Sequence, residues 1–472
     1  MGCMKRLVPI TTLLAGLACA GTGAALDLEA CRVAGIQARC GTFEVPENRA
    51  EPDGRRIDLN VVVLPAKSKN PEPDPLFFFH GGPGGAATTL APAFVGLPFR
   101  ADRDIVLVDQ RGTGQSNPIS CGPDDLEILL ASLARFDLSS QLECLDKLDA
   151  DPRFYTTREF IADIDAVRVA IGAERINILG GSYGTRAALE YLVAYPKHSR
   201  SAILRGVAPM SFTLPRDFAR DSQAALDDVL ADCVNDRACA AAYPDLAGKV
   251  AAIVRRLESR PVGATIRDPR TRQRIGVTVD REMFAAAIHY TLYSSDLSAR
   301  LPKMIDAAHG GDFTPLLDSL TAFISAIIGT LSDGLFLSVT CAEDLPFVTD
   351  EEFRSLGENT LLGAEFGINL KRTCEHWPHA TLPPSIKEQP ETAVPILLIN
   401  GEVDPVTPPH HTEKIMERLP NALHVIVPGT SHADLFPGCV RRLASRFLER
   451  GSVEGLSADC IQKRRRPNFV VD

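Results

Sequence analysis

Three side chains in this sequence could together move a proton and attack a carbonyl: Ser182, Asp404 and His432. Ser182 stands in Gly180-Gly181-Ser182-Tyr183-Gly184, directly after an apolar run that includes Ile176, Ile178 and Leu179. A serine on a sharp strand-to-helix turn holds strained backbone angles. Side chains two residues to either side would collide there, which accounts for the glycines. A serine hydroxyl is a weak nucleophile and needs a base, a group to orient that base, and donors for the oxyanion that forms. Val427 runs into Pro428-Gly429-Thr430-Ser431-His432, and Ile399 into Asn400-Gly401-Glu402-Val403-Asp404-Pro405. Both groups therefore sit where a buried strand would end. His432 is expected to take the proton from Ser182, and Asp404 to hold the imidazole tautomer and stabilise its cation. Glu402 competes for the acid role. Asp404 is preferred because Pro405 follows it and fixes the chain at the loop end. The oxyanion donors are expected to be the backbone N–H of Tyr183 and one from the Gly81-Gly82 loop, assigned to Gly82. Pro83 stiffens that loop.

The remaining histidines read differently. His410 and His411 follow Pro408-Pro409 and are expected at a helix start on the surface. His289 falls in a helical apolar pattern and reads as a packed core residue. His80 reads as a structural residue that holds its own loop by hydrogen bonds.

The elements that must position these groups alternate between strand and helix. Gly41–Val45 and Ile57–Leu64 read as strands separated by a Glu-Pro-Asp-Gly turn. Pro75-Leu76-Phe77-Phe78-Phe79 and Asp104–Val108 are continuous apolar runs, as strands buried on both faces are. Thr156-x-x-Glu159 reads as a capping box, with Phe160, Ile164, Val167 and Ile171 at helical spacing behind it. The serine strand, a strand over Ala202–Val207, and late strands at Val394–Ile399 and Ala422–Val427 complete a mostly parallel α/β sheet. Between Pro215 and about Leu331 the apolar residues recur at helical spacing with few strand-like runs, so an inserted, mainly helical domain is expected. Leu335–Pro384 is ambiguous. The segment to about Arg153 that holds Cys121 and Cys144 reads as irregular, and Arg464-Arg465-Arg466 as a solvated tail.

The chain has 472 residues, 45% of them hydrophobic and 23% charged, with a net charge of −10. That balance describes an ordinary globular protein and argues against nucleic acid and against a basic membrane-surface protein. Lys5 and Arg6, the apolar stretch Leu7–Leu17 and the small residues after it read as a secretory signal, too short for a stable membrane span. A lipoprotein anchor at Cys19 is the alternative; Gly16 sits where such signals usually carry leucine. Ten cysteines remain beyond the signal, close together in pairs along the sequence. Export would make them disulfides, and short loops are easily closed. The expected pairs are Cys31–Cys40, Cys121–Cys144, Cys233–Cys239, Cys341–Cys374 and Cys439–Cys460.

Taken together, the order Ser, Asp, His and four motifs carry a resemblance. The motifs are His80-Gly81-Gly82-Pro83-Gly84-Gly85, Asp109-Gln110-Arg111-Gly112-Thr113-Gly114, the serine pentapeptide, and Gly401-x-x-Asp404-Pro405-Val406-Thr407-Pro408. The chain resembles the prolyl and tripeptidyl aminopeptidase branch of α/β-hydrolase serine peptidases. The resemblance covers nearly the whole mature chain. It implies an α/β-hydrolase core under a helical cap, release of N-terminal residues from peptides, and no metal or other cofactor. Leu204-Arg205-Gly206 departs from the Leu-Asp-Gly frequent in that branch, which bears on local packing and not on the triad. The expected layout is a signal over 1–25, core over 26–210, cap and return segment over 211–385, and core again over 386–472. An aminopeptidase must also recognise the substrate's ammonium group. Glu343 and Asp344, where the chain returns from the cap, are the candidate carboxylates, with a solvated or capping acidic pair as the alternative. Two competing functions remain: a secreted carboxylesterase using the same triad, and a binding domain without activity on this fold. The second reading would usually lack a triad residue, and all three are present.

Overall fold

The computed structural model describes residues 26–120, 126–327, 330–434 and 436–471. The signal reading and Cys19 lie outside these residues, as does the Cys121–Cys144 pair. Among the described residues eleven strands form two sheets. The large one has nine strands in the order β1-β2-β3-β5-β4-β6-β7-β10-β11. β1 (Glu29–Val33), β2 (Ile36–Pro46) and β3 (Arg56–Leu64) are its antiparallel edge. From β5 (Ile105–Val108) onward every pairing is parallel, through β4 (Leu76–Phe79), β6 (Ile176–Gly181), β7 (Ser199–Arg205), β10 (Ile396–Gly401) and β11 (Ala422–Val427).

β4 and β5 are buried at every position, which is why they read as unbroken apolar runs. Side chains alternate between the faces. Phe77 and Phe79 join Phe160, Ile164, Leu189 and Leu192 on one side. Phe78 joins Phe94, Leu443 and Phe447 on the other. Burying one such phenylalanine contributes roughly 1.5–3 kcal/mol. β6 lies between β4 and β7, so the serine leaves the middle of the sheet.

β7 and β10 are adjacent in space, yet 190 residues of chain separate Arg205 from Ile396. That stretch holds the cap, with helices at Phe218–Asn235, Leu246–Ser259, Arg281–Thr291, Thr314–Ile327 and Asp333–Glu343. Three findings differ from the sequence reading. A hairpin, β8 (Val262–Arg267) with β9 (Arg274–Val279), sits inside the cap; its alternating burial is the signal the helical spacing around it obscured. The ambiguous stretch after Leu335 is helical over Asp333–Glu343, Asp350–Gly357 and Glu365–Cys374. The segment read as irregular contains the helix Leu126–Arg135, and its Leu126, Leu130 and Ala134 pack into the cap's own core with Leu226, Phe284 and Leu317. The cap is therefore built from two separate stretches of sequence.

Smaller corrections follow the same logic. Thr156 caps its helix by accepting from the Glu159 N–H, but the Glu159 carboxylate pairs with Arg49 instead of closing the box. The arginines near the C-terminus are not all solvated. Arg466 is largely buried, donates to Asp232 at 2.8 Å and reaches Ser298, while the Val470 N–H donates to the Ala299 carbonyl. The C-terminal tail is thus laid along the cap. Among the described residues four disulfides are present: Cys31–Cys40, Cys233–Cys239, Cys341–Cys374 and Cys439–Cys460. Among the described residues no helix is long and apolar enough to cross a membrane.

Candidate active site

Ser182 occupies the sharp turn between β6 and the helix Tyr183–Ala194, with φ 54° and ψ −126°. Sterics hold that turn. A Cβ on Gly184 would stand 2.1 Å from the Phe79 carbonyl oxygen, and one on Gly180 2.8 Å from that of Gly184. Neither position admits a side chain, because no backbone there can move aside. The Ser182 N–H donates to the Arg205 carbonyl at 2.9 Å, and the Ser182 carbonyl accepts from Thr185 N at 2.8 Å. The nucleophile is thereby pinned to β7 and to its own helix.

His432 Nε2 lies 3.0 Å from Ser182 Oγ, and His432 Nδ1 lies 2.8 Å from Asp404 Oδ2. An ionised carboxylate only accepts, so the proton belongs on Nδ1 and the Nε2 lone pair faces the serine hydroxyl. Asp404 is buried. Burial alone would raise its pKa, but His432 and the N–H groups of Thr407 and Val406 hold it below the usual carboxylate range. Thr407 Oγ1 donates to Asp404 Oδ2 at 3.0 Å and stands 3.2 Å from His432 Nδ1. Sequence reasoning quoted Thr407 only as part of a motif. A hydroxyl three residues after the acid, in a turn whose N–H groups cap that acid, is the signal that could have found it. Glu402, the rival acid, accepts from the Gly429 N–H at 2.8 Å. Gly206, at φ 60°, leaves room for the imidazole: a Cβ there would stand 3.1 Å from His432 Cε1.

The loop after β4 comes up against the serine. A Cβ on Gly81 would lie 2.8 Å from the Ser182 Cβ. The Tyr183 N–H opens its helix, so no carbonyl of that helix claims it. Gly82 follows Gly81 in the same loop, at φ 119°. His80 braces the loop: its ring is half-buried, its Nδ1 lies 3.1 Å from the Gly81 carbonyl, and desolvation pushes its pKa down. A segment of the cap completes the bracing. The Ala86 N–H donates to the Thr330 carbonyl at 3.1 Å, and the Ser332 N–H to the Gly84 carbonyl at 2.9 Å.

Arg205, the departure noted in the sequence, lies behind the histidine. Its guanidinium donates to the His432 carbonyl and, at 3.3 Å, to that of Asp434. Burial lowers its pKa, with Asp404 and Asp434 opposing.

Glu343 and Asp344 end the cap helix Asp333–Glu343 and are both buried. Asp344 accepts from Arg186 through both oxygens at 3.0 Å and from Lys387 at 2.6 Å. Burial would raise its pKa, and these two cations hold it down. Glu343 accepts from the Thr157 N–H and hydroxyl, each at 2.7 Å, and its pKa is raised by burial. It lines a pocket with Arg158, Glu190, Met210, Ile386 and Lys387. The pair is not solvated, but Glu343 does cap a helix: the Thr157 N–H that it accepts is the first of the helix Thr157–Ala170. His411, expected on the surface, is buried against Asp221 at 2.8 Å, whereas His410 is partly exposed. His289 is fully buried, bonded to Ser222, and burial pushes its pKa down to about 3.

Two family profiles match the chain: the alpha/beta hydrolase fold over residues 74–260 and the TAP-like protein over residues 360–460. The serine protease Hip1 of Mycobacterium tuberculosis is 26% identical over 90% of this chain and 87% of its own length. Proline iminopeptidase of Neisseria gonorrhoeae is 30% identical over 30% of this chain and 35% of its own. Tripeptidyl aminopeptidase of Streptomyces coelicolor is 29% identical over 36% of this chain and 35% of its own. With Ser182 on its elbow and the two late strands leading to Asp404 and His432, the chain is a serine hydrolase of the α/β-hydrolase fold, similar to these peptidases.

Proposed function

We propose that the protein is an exported serine exopeptidase that releases N-terminal residues from peptides through an acyl-enzyme on Ser182. The observation that carries this reading is the unbroken chain Ser182 Oγ, His432 Nε2, His432 Nδ1, Asp404 Oδ2, with both links at hydrogen-bond length. His432 Nε2 takes the Ser182 proton as Oγ bonds to the scissile carbonyl carbon. The carbonyl oxygen becomes an oxyanion held by the N–H groups of Tyr183 and Gly82. His432 then gives its proton to the leaving amine, and the C–N bond breaks. Water enters, loses a proton to His432 and attacks the ester. His432 then returns that proton to Ser182 Oγ as the C–O bond breaks, releasing the acid and restoring the enzyme.

The peptidase names of the relatives support peptide substrates. Export is supported by the four disulfides, which persist in oxidising compartments. For the substrate's ammonium group the proposal keeps Glu343, which lines a pocket. Asp344 is not carried forward as a direct contact, because Arg186 and Lys387 occupy both of its oxygens. The cap, residues 211–385 together with the helix Leu126–Arg135, would stop the substrate a short distance beyond the scissile bond.

A carboxylesterase is the second reading, favoured by one observation: Glu343 is already bonded twice inside the protein. Aminoacyl and tripeptidyl anilides and short acyl esters, tested on purified mature protein, separate the two. The proposal expects turnover of the free-amine anilides and loss of it on N-acetylation. Glu343→Gln should lower kcat/KM on free-amine substrates by on the order of 2–4 kcal/mol and spare N-acylated esters. Hydrolysis of esters alone would assign the esterase.

A further inference from the structure

We propose that Tyr293, carried by the cap, is a positioning residue for the catalytic base His432, so that the base is held in line only while the cap is seated. The inference rests on the serine-hydrolase reading of Ser182 and His432. Tyr293 follows the cap helix Arg281–Thr291 and belongs to a short stretch, Leu292–Ser295, that meets the histidine loop edge to edge. Three hydrogen bonds join the two. The Ser431 hydroxyl donates to the Leu292 carbonyl, the Ala433 N–H donates to the Tyr293 carbonyl at 2.7 Å, and the Ser295 N–H donates to Asp434 Oδ1 at 3.3 Å. They flank His432 in sequence on both sides. The Tyr293 ring stands across the imidazole, 5.3 Å between centroids and 76° between planes.

An imidazole linked to Asp404 at Nδ1 can still swing about that bond. Gly206 approaches the ring with no side chain, and Thr407 meets it only at Nδ1. A rigid ring set edge-to-face against it, as aromatic pairs prefer, removes that freedom. Tyr293 is itself fixed, packed against Tyr290, Phe323 and His289 in the cap. Its phenol oxygen has no hydrogen-bond partner among the described residues, so the ring and not the hydroxyl does the holding. The cap also grips the oxyanion loop through Thr330 and Ser332. It therefore touches two of the three parts of the reaction centre, and Tyr293 is its contact with the part that moves protons.

The test uses the full mature protein with Tyr293→Phe, Tyr293→Leu and Tyr293→Ala. It compares kcat and KM per titrated active site on p-nitrophenyl acetate and on a free-amine peptide anilide. It also measures the rate of inactivation by a fluorophosphonate. Tyr293→Phe should stay within about twofold of wild type, while Leu and Ala lower kcat about ten- to a hundredfold on both substrates, with KM nearly unchanged and phosphonylation slowed equally. Loss confined to KM for the larger substrate would make the ring a substrate wall and overturn the proposal. Wild-type turnover per site would do so too, as would a failure of both Leu and Ala to fold. A wild-type protein left unlabelled by the fluorophosphonate removes the serine-hydrolase reading itself. A labelled wild type with turnover insensitive to Tyr293 removes only the positioning role.

Discussion

The nucleophile turn and the histidine loop meet across 3.0 Å, yet they are held in opposite ways. Around Ser182 the constraints come from the Gly180–Gly184 turn and the strands beside it: two glycines that admit no Cβ, and N–H and carbonyl groups bonded to β7 and to the next turn of helix. Around His432 few constraints are local. Arg205 reaches the loop from the core, and Leu292–Ser295 reaches it from the cap, more than a hundred residues away in sequence. A turn fixed by sterics tolerates nothing but small change and fails all at once. A loop fixed by distant partners fails by degrees, and each partner has its own size of effect.

The sharpest way to break the contrast is Gly184→Ala. The new methyl must displace the Phe79 backbone, so the turn should be lost together with the fold, at roughly 3 kcal/mol or more in denaturant titration. A soluble, active Gly184→Ala protein would mean that sterics do not hold the elbow. Next is Arg205→Met, which leaves the His432 and Asp434 carbonyls without their donor. Each buried acceptor left unpaired costs about 1–3 kcal/mol, and kcat should fall more steeply than thermal stability. Equal loss in both would make Arg205 a plain core residue.

These two positions also show what the sequence makes legible. The elbow could be read because its cause is local: the glycines, the apolar strand and the serine stand within ten residues. Asp404 and His432 could be read for the same reason, each closing a strand at its carboxyl end. The partners could not. Tyr293 lies in a helical pattern like any other cap aromatic, and nothing near it in sequence points to His432. Arg205 showed only as a departure from an expected aspartate. Leu126–Arg135 was misread because its apolar face fits against the cap and not against its sequence neighbours. The same holds for Arg466, whose partner Asp232 is 234 residues away. Glu343 and Asp344 could be singled out from the sequence as an acidic pair where the chain returns from the cap. Only the fold places Arg186, Lys387 and Thr157 against them.

Two smaller effects sharpen the account. Thr407→Val keeps the shape beside Asp404 and removes one donor. It should lower kcat by about tenfold with a loss of stability near 1 kcal/mol, measured by steady-state kinetics and thermal melting. No change in kcat would leave Asp404 and His432 self-sufficient. Glu190 faces Glu343 across the pocket, and burial first and that neighbour second push its pKa up to about 7. Between the ordinary glutamate range and pH 7 the folded state therefore binds more protons than the unfolded one, so stability from this group falls as pH rises through that window. Glu190→Gln should raise the melting temperature above pH 7, by on the order of 1 kcal/mol in stability, and leave it unchanged below pH 4.5. An equal shift at both pH values would show that charge is not the cause.

The central claim is that Ser182 forms the acyl-enzyme with His432 as its base, and pre-steady-state kinetics tests it most directly. On mixing with a chromogenic ester, wild type should release a burst of product equal to the enzyme concentration, followed by slower turnover, with the acyl group mapped to Ser182 by mass spectrometry. Ser182→Ala should show no burst, and His432→Ala a burst slowed by roughly 10³ or more. A full burst from Ser182→Ala, or an acyl group found on another residue, would contradict the account.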